Sequence, residues 1–272
     1  MVDIDAAIGY VVAHGDSVER ARLSCLLARV MPGQEVLDRI LGAQTAAGGW
    51  PASGDGTVPS VDATCFRLAE LHDLGGLGSP AVARGLEWLV SAQRPDGSWE
   101  EDEILAADAP PWAMPGDPEA RLYLTAVAGH WLTVAEAEDR SRRPDPYSPS
   151  PNAQALRAAA GYVVGALNPD GTWPSFLATG WHATGLLHDQ QFYYESARMQ
   201  FVLGDRLPGM SPADVASMAA ALRRISVGVD DWLLGAARKR LAATQRTDGG
   251  WDSDEGPAFD VHTTLTAIRA CR

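Results

Sequence analysis

Four positions along the chain carry side chains that can donate or accept a proton, and each stands two residues before a threonine. They are Asp62, Tyr123, His182 and His262, ahead of Thr64, Thr125, Thr184 and Thr264. A carboxyl, a phenol and two imidazoles at equivalent positions suit general acid–base chemistry. If the segments that carry them close into a ring, the four side chains face the same end of it and share one cavity.

Repeated segments place these four positions along the chain. Three copies, over 44–50, 93–99 and 245–251, have glutamine and tryptophan six residues apart, and a fourth, over 167–173, begins with leucine. Each copy contains the turn residues Asp-Gly or Gly-Gly, which end a helix and reverse the chain. Apolar residues at helical spacing precede each copy, and a second apolar segment with the threonine follows it. Each copy therefore predicts a helical hairpin.

Two further pairs of helical segments complete the pattern, over 3–30 and 191–227. The total is about twelve helices, or six hairpins, without strand-like alternation of useful length. We therefore predict an all-α fold, with residues 1–272 forming a single α/α-barrel domain and a Pro- and Arg-rich surface linker near 139–150. An open solenoid of the same hairpins is the alternative, because periodicity does not show that the ring closes.

The composition excludes several classes of partner. The formal net charge of −13 disfavours nucleic acids and anionic membranes, since both are bound by basic surfaces. No apolar run has the length of a membrane span, and the acidic start of the chain lacks the basic end of a secretory signal. The three cysteines have no metal-site spacing and indicate free thiols in a reducing cytoplasm.

The repeats resemble the QW repeats of the squalene–hopene cyclase and oxidosqualene cyclase family of terpenoid cyclases. The resemblance covers most of the chain, with the exception of 189–227. It implies an α6/α6 barrel in which the repeats tie the outer helices together, a fold that the protein prenyltransferases share. The cyclases of the family have two barrels, and this chain is long enough for one. A homodimer, or a partner that supplies a second barrel, is therefore part of the expectation.

The resemblance extends to an acidic motif of the proton-initiated, or class II, members. That motif is Asp-x-Asp-Asp-Thr, and its middle acid protonates an alkene or an epoxide. The first copy here keeps the middle acid as Asp62 and has Ser60 and Ala63 in place of its neighbours. A second copy keeps the first acid as Asp260 and has His262 at the donor position. Asp62 is the better donor, because imidazolium is the weaker acid and an apolar cavity keeps a carboxylic acid neutral.

These observations predict a class II-like terpenoid cyclase or isomerase, an enzyme of the isomerase or lyase class in isoprenoid biosynthesis. Asp62 is the predicted general acid, while Tyr123, His182 or His262 polarises it or takes up the final proton, with Asp260 as a further site residue. Aromatic side chains stabilise cationic intermediates. Those predicted to bind the substrate are Phe66, Trp131, Trp181 and Phe192. The reaction requires no cofactor in principle, although a diphosphate substrate would bring magnesium.

Two other functions stay open at this stage. A barrel whose motif has lost its flanking acids could hold a lipid or a partner protein without catalysis. A zinc-dependent prenyltransferase-like enzyme would use Asp62, Cys65 and His262 as ligands, although the family's Asp and Cys are separated by a single residue. Type I terpene synthase chemistry is less expected, because Asp230 and Asp231 are followed by no third acid in register.

Structural roles compete with functional ones at several positions. Asp62 suits the first turn of a helix with Ser60 as its cap, where a carboxylate interacts favourably with the helix dipole. The acidic run 100–103 is expected to be solvated surface. The longer loop 100–116 either covers one mouth of the barrel or is a solvated excursion.

Overall fold

The computed structural model describes residues 1–53, 56–142, 150–225 and 232–272, with Arg142 described by its backbone alone. Over these residues the chain forms twelve α-helices, four short 3₁₀ segments and one isolated β-bridge. The helices are α1 (Ile4–His14), α2 (Ser17–Ala28), α3 (Gln34–Leu41), α4 (Val61–Asp73), α5 (Pro80–Ala92), α6 (Pro118–Arg142), α7 (Ala153–Ala166), α8 (Leu177–Asp189), α9 (Tyr193–Arg206), α10 (Pro212–Arg224), α11 (Trp232–Thr244) and α12 (Asp260–Cys271).

Short polar side chains begin five of the helices, where they bind backbone N–H groups that have no partner within the first turn. Asp16 and Glu19 form a reciprocal capping box at the start of α2. The hydroxyl of Ser60 accepts a hydrogen bond of 3.0 Å from the backbone N–H of Ala63 and caps α4. Ser79 does the same for α5, whose first residue is a proline.

The helices gather into two compact units. The central unit spans Leu37–Met199, and the terminal unit combines Met1–Val36 with Gln200–Arg272. In the central unit, α6 packs against α4, α7 and α8. In the terminal unit, α12 packs against α1, α2, α10 and α11. Each unit therefore has one helix that packs against several others, α6 in the central unit and α12 in the terminal unit. Helix α6 carries the central part of the candidate site.

The repeat tryptophans join the end of one helix to the threonine of the next. The backbone N–H of Trp50, Trp99 and Trp251 donates to Thr64, Thr125 and Thr264 at 2.9, 3.0 and 3.2 Å. Their indole N–H groups donate to the carbonyls of Ile40, Leu89 and Leu241 at 3.0, 2.7 and 2.9 Å. All three indoles are fully buried. The aligned threonines therefore have the same structural role in the three copies, although 14, 26 and 13 residues separate each tryptophan from its threonine.

The repeat glutamines fasten neighbouring helices. The side-chain amide of Gln93 donates to the carbonyl of Gly97 in its own turn, at 3.0 Å, and to that of Ala155 in α7, at 2.9 Å. Gln44 and Gln245 make the equivalent pairs of bonds in their copies. The fourth copy, with Leu167, is built differently, since the indole of Trp173 donates to Phe176 three residues further on, at 2.8 Å.

The first part of the surface linker predicted near 139–150 is helical, because α6 extends to Arg142, beyond the buried segment that ends at Glu136. Residues 143–149 lie outside the described residues, and the single-domain assignment over 1–272 stays a prediction. Among the helices that the structure describes, none combines the length and the apolar character required to cross a membrane.

Candidate functional site

The first turn of α4 carries Asp62 into the interior of the central unit. The indole N–H of Trp112 donates to Oδ2 of its carboxyl at 3.2 Å, and the hydroxyl of Tyr123 donates to Oδ1 at 3.4 Å. Burial raises the pKa of Asp62, and the two hydrogen bonds oppose part of that rise. The carboxyl is thus biased toward its neutral form, while two donors stand ready to support the carboxylate.

Tyr123 lies on α6 and presents a neutral phenol to Asp62. Burial and the neighbouring charge of Asp62 raise the pKa of Tyr123 well above its ordinary value. The phenol therefore keeps its proton and can donate it in a hydrogen bond. Its ring contacts Phe176 edge-on, with 6.2 Å between ring centroids.

Trp112 reaches Asp62 from the loop between Trp99 and α6, within the short 3₁₀ segment Pro111–Ala113. This segment packs against α6, and its last residue, Ala113, is buried. The side chain of Trp112 keeps 39% of its surface exposed. Of the two interpretations of the loop 100–116, a cover over the site therefore agrees with the contacts better than a solvated excursion.

Glu101 is a buried residue that is not among those predicted from the sequence. Its side chain is only 6% exposed, whereas Asp102 and Glu103 beside it are exposed. The prediction that residues 100–103 form solvated surface is therefore wrong for Glu101, because its carboxylate binds the start of α4. Charge patterning along the chain could not reveal this contact, since the partner helix lies about forty residues earlier in the sequence.

His182 lies on α8 beside Tyr123, with 6.4 Å between the two ring centroids. On its other side it contacts His130, a fully buried residue of α6, with ring centroids 4.8 Å apart. His130 stands two helical turns beyond Tyr123 and is also absent from the predicted set. The structure thus brings together Asp62, Tyr123 and His182, with His130 behind them.

The four aromatic residues predicted to bind substrate lie in different surroundings. Trp181 and Trp131 are each 4% exposed, and Trp181 contacts His182 while Trp131 contacts His130. Phe66 is 50% exposed and lies beside the guanidinium of Arg67. Phe192 is half-buried in the turn between α8 and α9. A role in substrate binding stays a prediction for all four.

His262 and Asp260 belong to the terminal unit and have partners there. Nδ1 of His262 lies 3.1 Å from Nη1 of Arg22. Because a guanidinium only donates hydrogen bonds, Nδ1 accepts this one, and the imidazole cannot at the same time carry a proton on both nitrogens. Asp260 forms an ion pair with Arg246 at 2.6 Å and accepts a bond from the backbone of Ser253. The single cavity predicted for all four aligned positions stays a prediction.

Metal ligation finds little support among the described residues, where no cluster of three or more His, Cys, Asp or Glu side chains could hold an ion. Burial raises the pKa of Cys65 well above its ordinary value, and the charges of Asp62 and Glu101 raise it further. A zinc-dependent function through Asp62, Cys65 and His262 stays a prediction. Asp230 and Asp231 lie outside the described residues.

The chain was compared with protein-family models and with known proteins. No protein-family model matches the chain. A stretch of 54 residues is 35% identical to copal-8-ol diphosphate hydratase of Cistus creticus subsp. creticus, over 20% of this chain and 7% of the length of that protein. Membership of the QW-repeat cyclase family stays a prediction.

Solved structures are similar over almost the whole chain. A protein from Actinoplanes is 18% identical with a TM-score of 0.61, over 98% of this chain and 97% of that one. The type II terpene cyclase MstE from Scytonema, without ligand, is 16% identical with a TM-score of 0.57, over 98% and 95% of the two chains. A variant of that cyclase in complex with its substrate, geranylgeranyl dihydroxybenzoate, has a TM-score of 0.58 at the same identity and coverage. The predicted all-α fold class, with about twelve helices, is confirmed by the described residues and by this likeness.

Proposed function

We propose that the protein is a type II terpenoid cyclase in which Asp62 starts cyclisation by protonating an isoprenoid substrate. The observation that carries this proposal is the state of the Asp62 carboxyl, which is half-buried, has its pKa raised by desolvation and receives one hydrogen bond on each oxygen. A proton donor to carbon must be neutral before the reaction and stabilised as an anion after it, and this environment meets both requirements. The fold shared with a type II terpene cyclase agrees with the proposal.

In the first step the O–H bond of Asp62 breaks and a C–H bond forms at the terminal alkene of the substrate. The substrate becomes a tertiary carbocation, and the negative charge left on Asp62 is stabilised by Trp112 and Tyr123. An internal alkene then attacks the cation and closes a ring, and loss of a proton ends the reaction. His182, which contacts Tyr123, is the proposed acceptor of that proton. His262 is less suited to donate one, because Arg22 occupies its Nδ1.

The proposed substrate is an acyclic prenyl chain, on a diphosphate, an alcohol or an aromatic head group. Neighbours carry two such groups in their names, a geranylgeranyl dihydroxybenzoate bound to MstE and the diphosphate of the plant hydratase. Proton transfer from Asp62 to carbon requires no metal, and magnesium would serve only to bind a diphosphate. A second copy or another barrel as partner stays part of the proposal, as does a cytoplasmic location.

The test is incubation of the purified protein with geranyl, farnesyl and geranylgeranyl diphosphates, their alcohols, a geranylgeranylated dihydroxybenzoate and squalene. Products are identified by gas or liquid chromatography with mass spectrometry. We expect a cyclic product from at least one substrate, and a rate lower by about 10²–10⁴-fold in Asp62→Asn, which keeps the shape of the side chain without its acidic proton.

The matched control is Glu119→Gln, which neutralises an exposed acid in the first turn of α6. It should cyclise at the wild-type rate. Wild-type turnover by Asp62→Asn would refute the assignment of the acid. Tight binding of these substrates by folded protein without turnover would instead favour the non-catalytic barrel.

A further inference from the structure

The buried carboxyl group of Glu101 and the half-buried one of Asp62 both lie at the start of α4. The carboxylate of Glu101 accepts hydrogen bonds from the hydroxyl of Ser60 at 2.8 Å and from the backbone N–H groups of Val61 and Asp62, both at 2.9 Å. Glu101 thereby takes two of the N–H groups that the first turn of a helix leaves without partners. The side chain of Asp62 leaves the same turn toward Trp112 and Tyr123.

A free helix N-terminus would work against a neutral Asp62. Its N–H groups carry a partial positive charge, which stabilises a carboxylate in the first turn and lowers its pKa. Glu101 occupies these N–H groups and adds a negative charge beside them. Both effects oppose the ionisation of Asp62. The helix terminus therefore lowers the pKa of Asp62 less than a free terminus would, and the proton that the proposed reaction uses stays on the carboxyl.

The hydrogen bonds indicate which carboxyl holds the remaining proton. Burial raises the pKa of both Asp62 and Glu101, and a charge on Asp62 raises that of Glu101 further. Because this coupling is mutual, the first group to ionise hinders the second. Glu101 accepts three bonds of 2.8–2.9 Å, whereas Asp62 accepts two of 3.2 and 3.4 Å, and short bonds favour the charged form more. The charge therefore belongs to Glu101 and the proton to Asp62.

The other groups that face this pair do not supply a compensating charge. Cys65, one turn along α4, and Tyr123, on α6, both have pKa values well above their ordinary ones because they are buried. Both are therefore neutral near pH 7, and the indole of Trp112 does not titrate. His182 contacts Tyr123, with 6.4 Å between the two ring centroids. Glu101 is the carboxylate that binds the same turn of α4 as Asp62.

The fold itself does not require a carboxyl at position 101. Glu101 stands two residues after a repeat tryptophan, and the other copies have Ala52, Ser175 and Ser253 at that place. Ser175 also reaches the start of a helix, where its hydroxyl donates to the carbonyl of Glu119 at 2.6 Å. A neutral side chain can therefore occupy this position, and the acid appears in the copy that faces Asp62.

We infer that Glu101 is a positioning residue that keeps the donor proton on Asp62 by carrying the negative charge at the start of α4. The inference rests on the proposed function for the use made of that proton. The place of the proton itself can be measured without any substrate, so the failure of one does not imply the failure of the other.

The experiment is a pH titration of the side-chain carboxyl carbons by NMR, on protein labelled with ¹³C at Asp and Glu. In Glu101→Gln, the titration midpoint of Asp62 should fall by at least about one pH unit, because the neighbouring negative charge is lost and one of the two oxygens that cover the helix terminus becomes an NH₂ group. Glu100→Gln is the control, since the carboxylate of Glu100 binds Arg94, Arg121 and the backbone N–H of Gly116, none of which lies on α4. It should leave the midpoint within a few tenths of a unit. An unchanged midpoint in folded Glu101→Gln would overturn the inference.

A second variant keeps the test decisive if Glu101→Gln does not fold. In Asp62→Asn, the titration midpoint of Glu101 should equal that of the wild type, because Asp62 is still neutral when Glu101 ionises. A fall of about one pH unit or more would show that Asp62 carries the charge in the wild type, and the inference would be wrong. Where cyclisation is observed, the alkaline limb of its pH profile should move to lower pH in Glu101→Gln, in step with the Asp62 midpoint.

Discussion

The carboxyl of Asp62 is subject to two opposing influences. Burial disfavours its charged form, and the hydrogen bonds from Trp112 and Tyr123 favour that form. Neither donor can take the proton itself, because an indole N–H has no basic site and the phenol is already protonated. The arrangement thus combines a bias toward the protonated form with support for the anion that proton transfer leaves behind.

Replacement of Trp112 by phenylalanine tests this balance. The aromatic body is retained and the N–H donor is lost, so the carboxylate of Asp62 is less stable and its pKa rises. We expect cyclisation to slow by roughly 10-fold or more, since a hydrogen bond to a charged group contributes about 1.5–3 kcal/mol. The alkaline limb of the pH–rate profile should move to higher pH, opposite to its movement in Glu101→Gln.

Trp232→Phe is the control for the same chemical change, because Trp232 lies on α11 in the terminal unit and stacks on Phe201. Its rate and pH profile should match the wild type. A limb that stays in place in Trp112→Phe would show that the indole does not act on the acid.

The sequence predicted only part of this group of residues. Asp62, Tyr123 and His182 could be predicted because they occupy one register position relative to the repeat threonines, and helices of equivalent register present equivalent side chains. Glu101 and Trp112 could not, because both lie in an irregular loop whose path has no period. Their contacts with α4 arise only once the loop has folded back across some forty to fifty residues of sequence.

At the scale of the helices, the repeats link consecutive hairpins through hydrogen bonds. Gln93 binds its own turn and α7, and Trp99 binds the end of α5 and the threonine of α6. The glycine two residues before each repeat tryptophan has a positive φ, as at Gly97 with 89°, where a Cβ would lie 2.4 Å from the carbonyl oxygen of Ala158. This close approach explains why the turn chemistry of the repeats predicted the helix ends well.

Gln93→Leu tests the fastening, and it introduces the residue type that the fourth copy has at position 167. The carbonyls of Gly97 and Ala155 each lose a hydrogen-bond donor in a partly buried setting. We expect the free energy of unfolding to fall by about 1–3 kcal/mol, measured by urea titration at pH 7.

Gln154→Leu, an exposed site on α7, is the control and should change the free energy of unfolding by less than about 0.5 kcal/mol. Equal stability of Gln93→Leu and the wild type would mean that water replaces the glutamine without cost.

The linker near 139–150 marks the corresponding limit of sequence-based prediction, because Asp139 to Ser141 are polar and exposed and still extend α6.

At the scale of the whole molecule, acidity and burial act in the same direction on stability. The formal net charge of −13 repels itself at neutral pH, and protonation relieves this repulsion as the pH falls toward the pI of about 4.8. Asp62 adds a specific contribution, because its pKa is raised on folding and the folded protein holds this proton more tightly than the unfolded chain. By linkage, the free energy of unfolding rises as pH falls through the folded-state pKa of Asp62 and levels off below the ordinary aspartate value.

High salt separates the contribution of net-charge repulsion from that of Asp62. Repulsion between exposed charges is screened within about 3 Å at 1 M salt, whereas a buried carboxyl is screened much less. In 1 M KCl, the wild type should therefore still gain stability between pH 8 and pH 5, while Asp62→Asn gains less and Glu119→Gln keeps the wild-type slope. Urea titrations across this pH range measure the three slopes. Identical slopes for the wild type and Asp62→Asn at high salt would mean that Asp62 is as acidic in the folded protein as in the unfolded chain, and an acid of that strength would be ionised at neutral pH with no proton to give to an alkene.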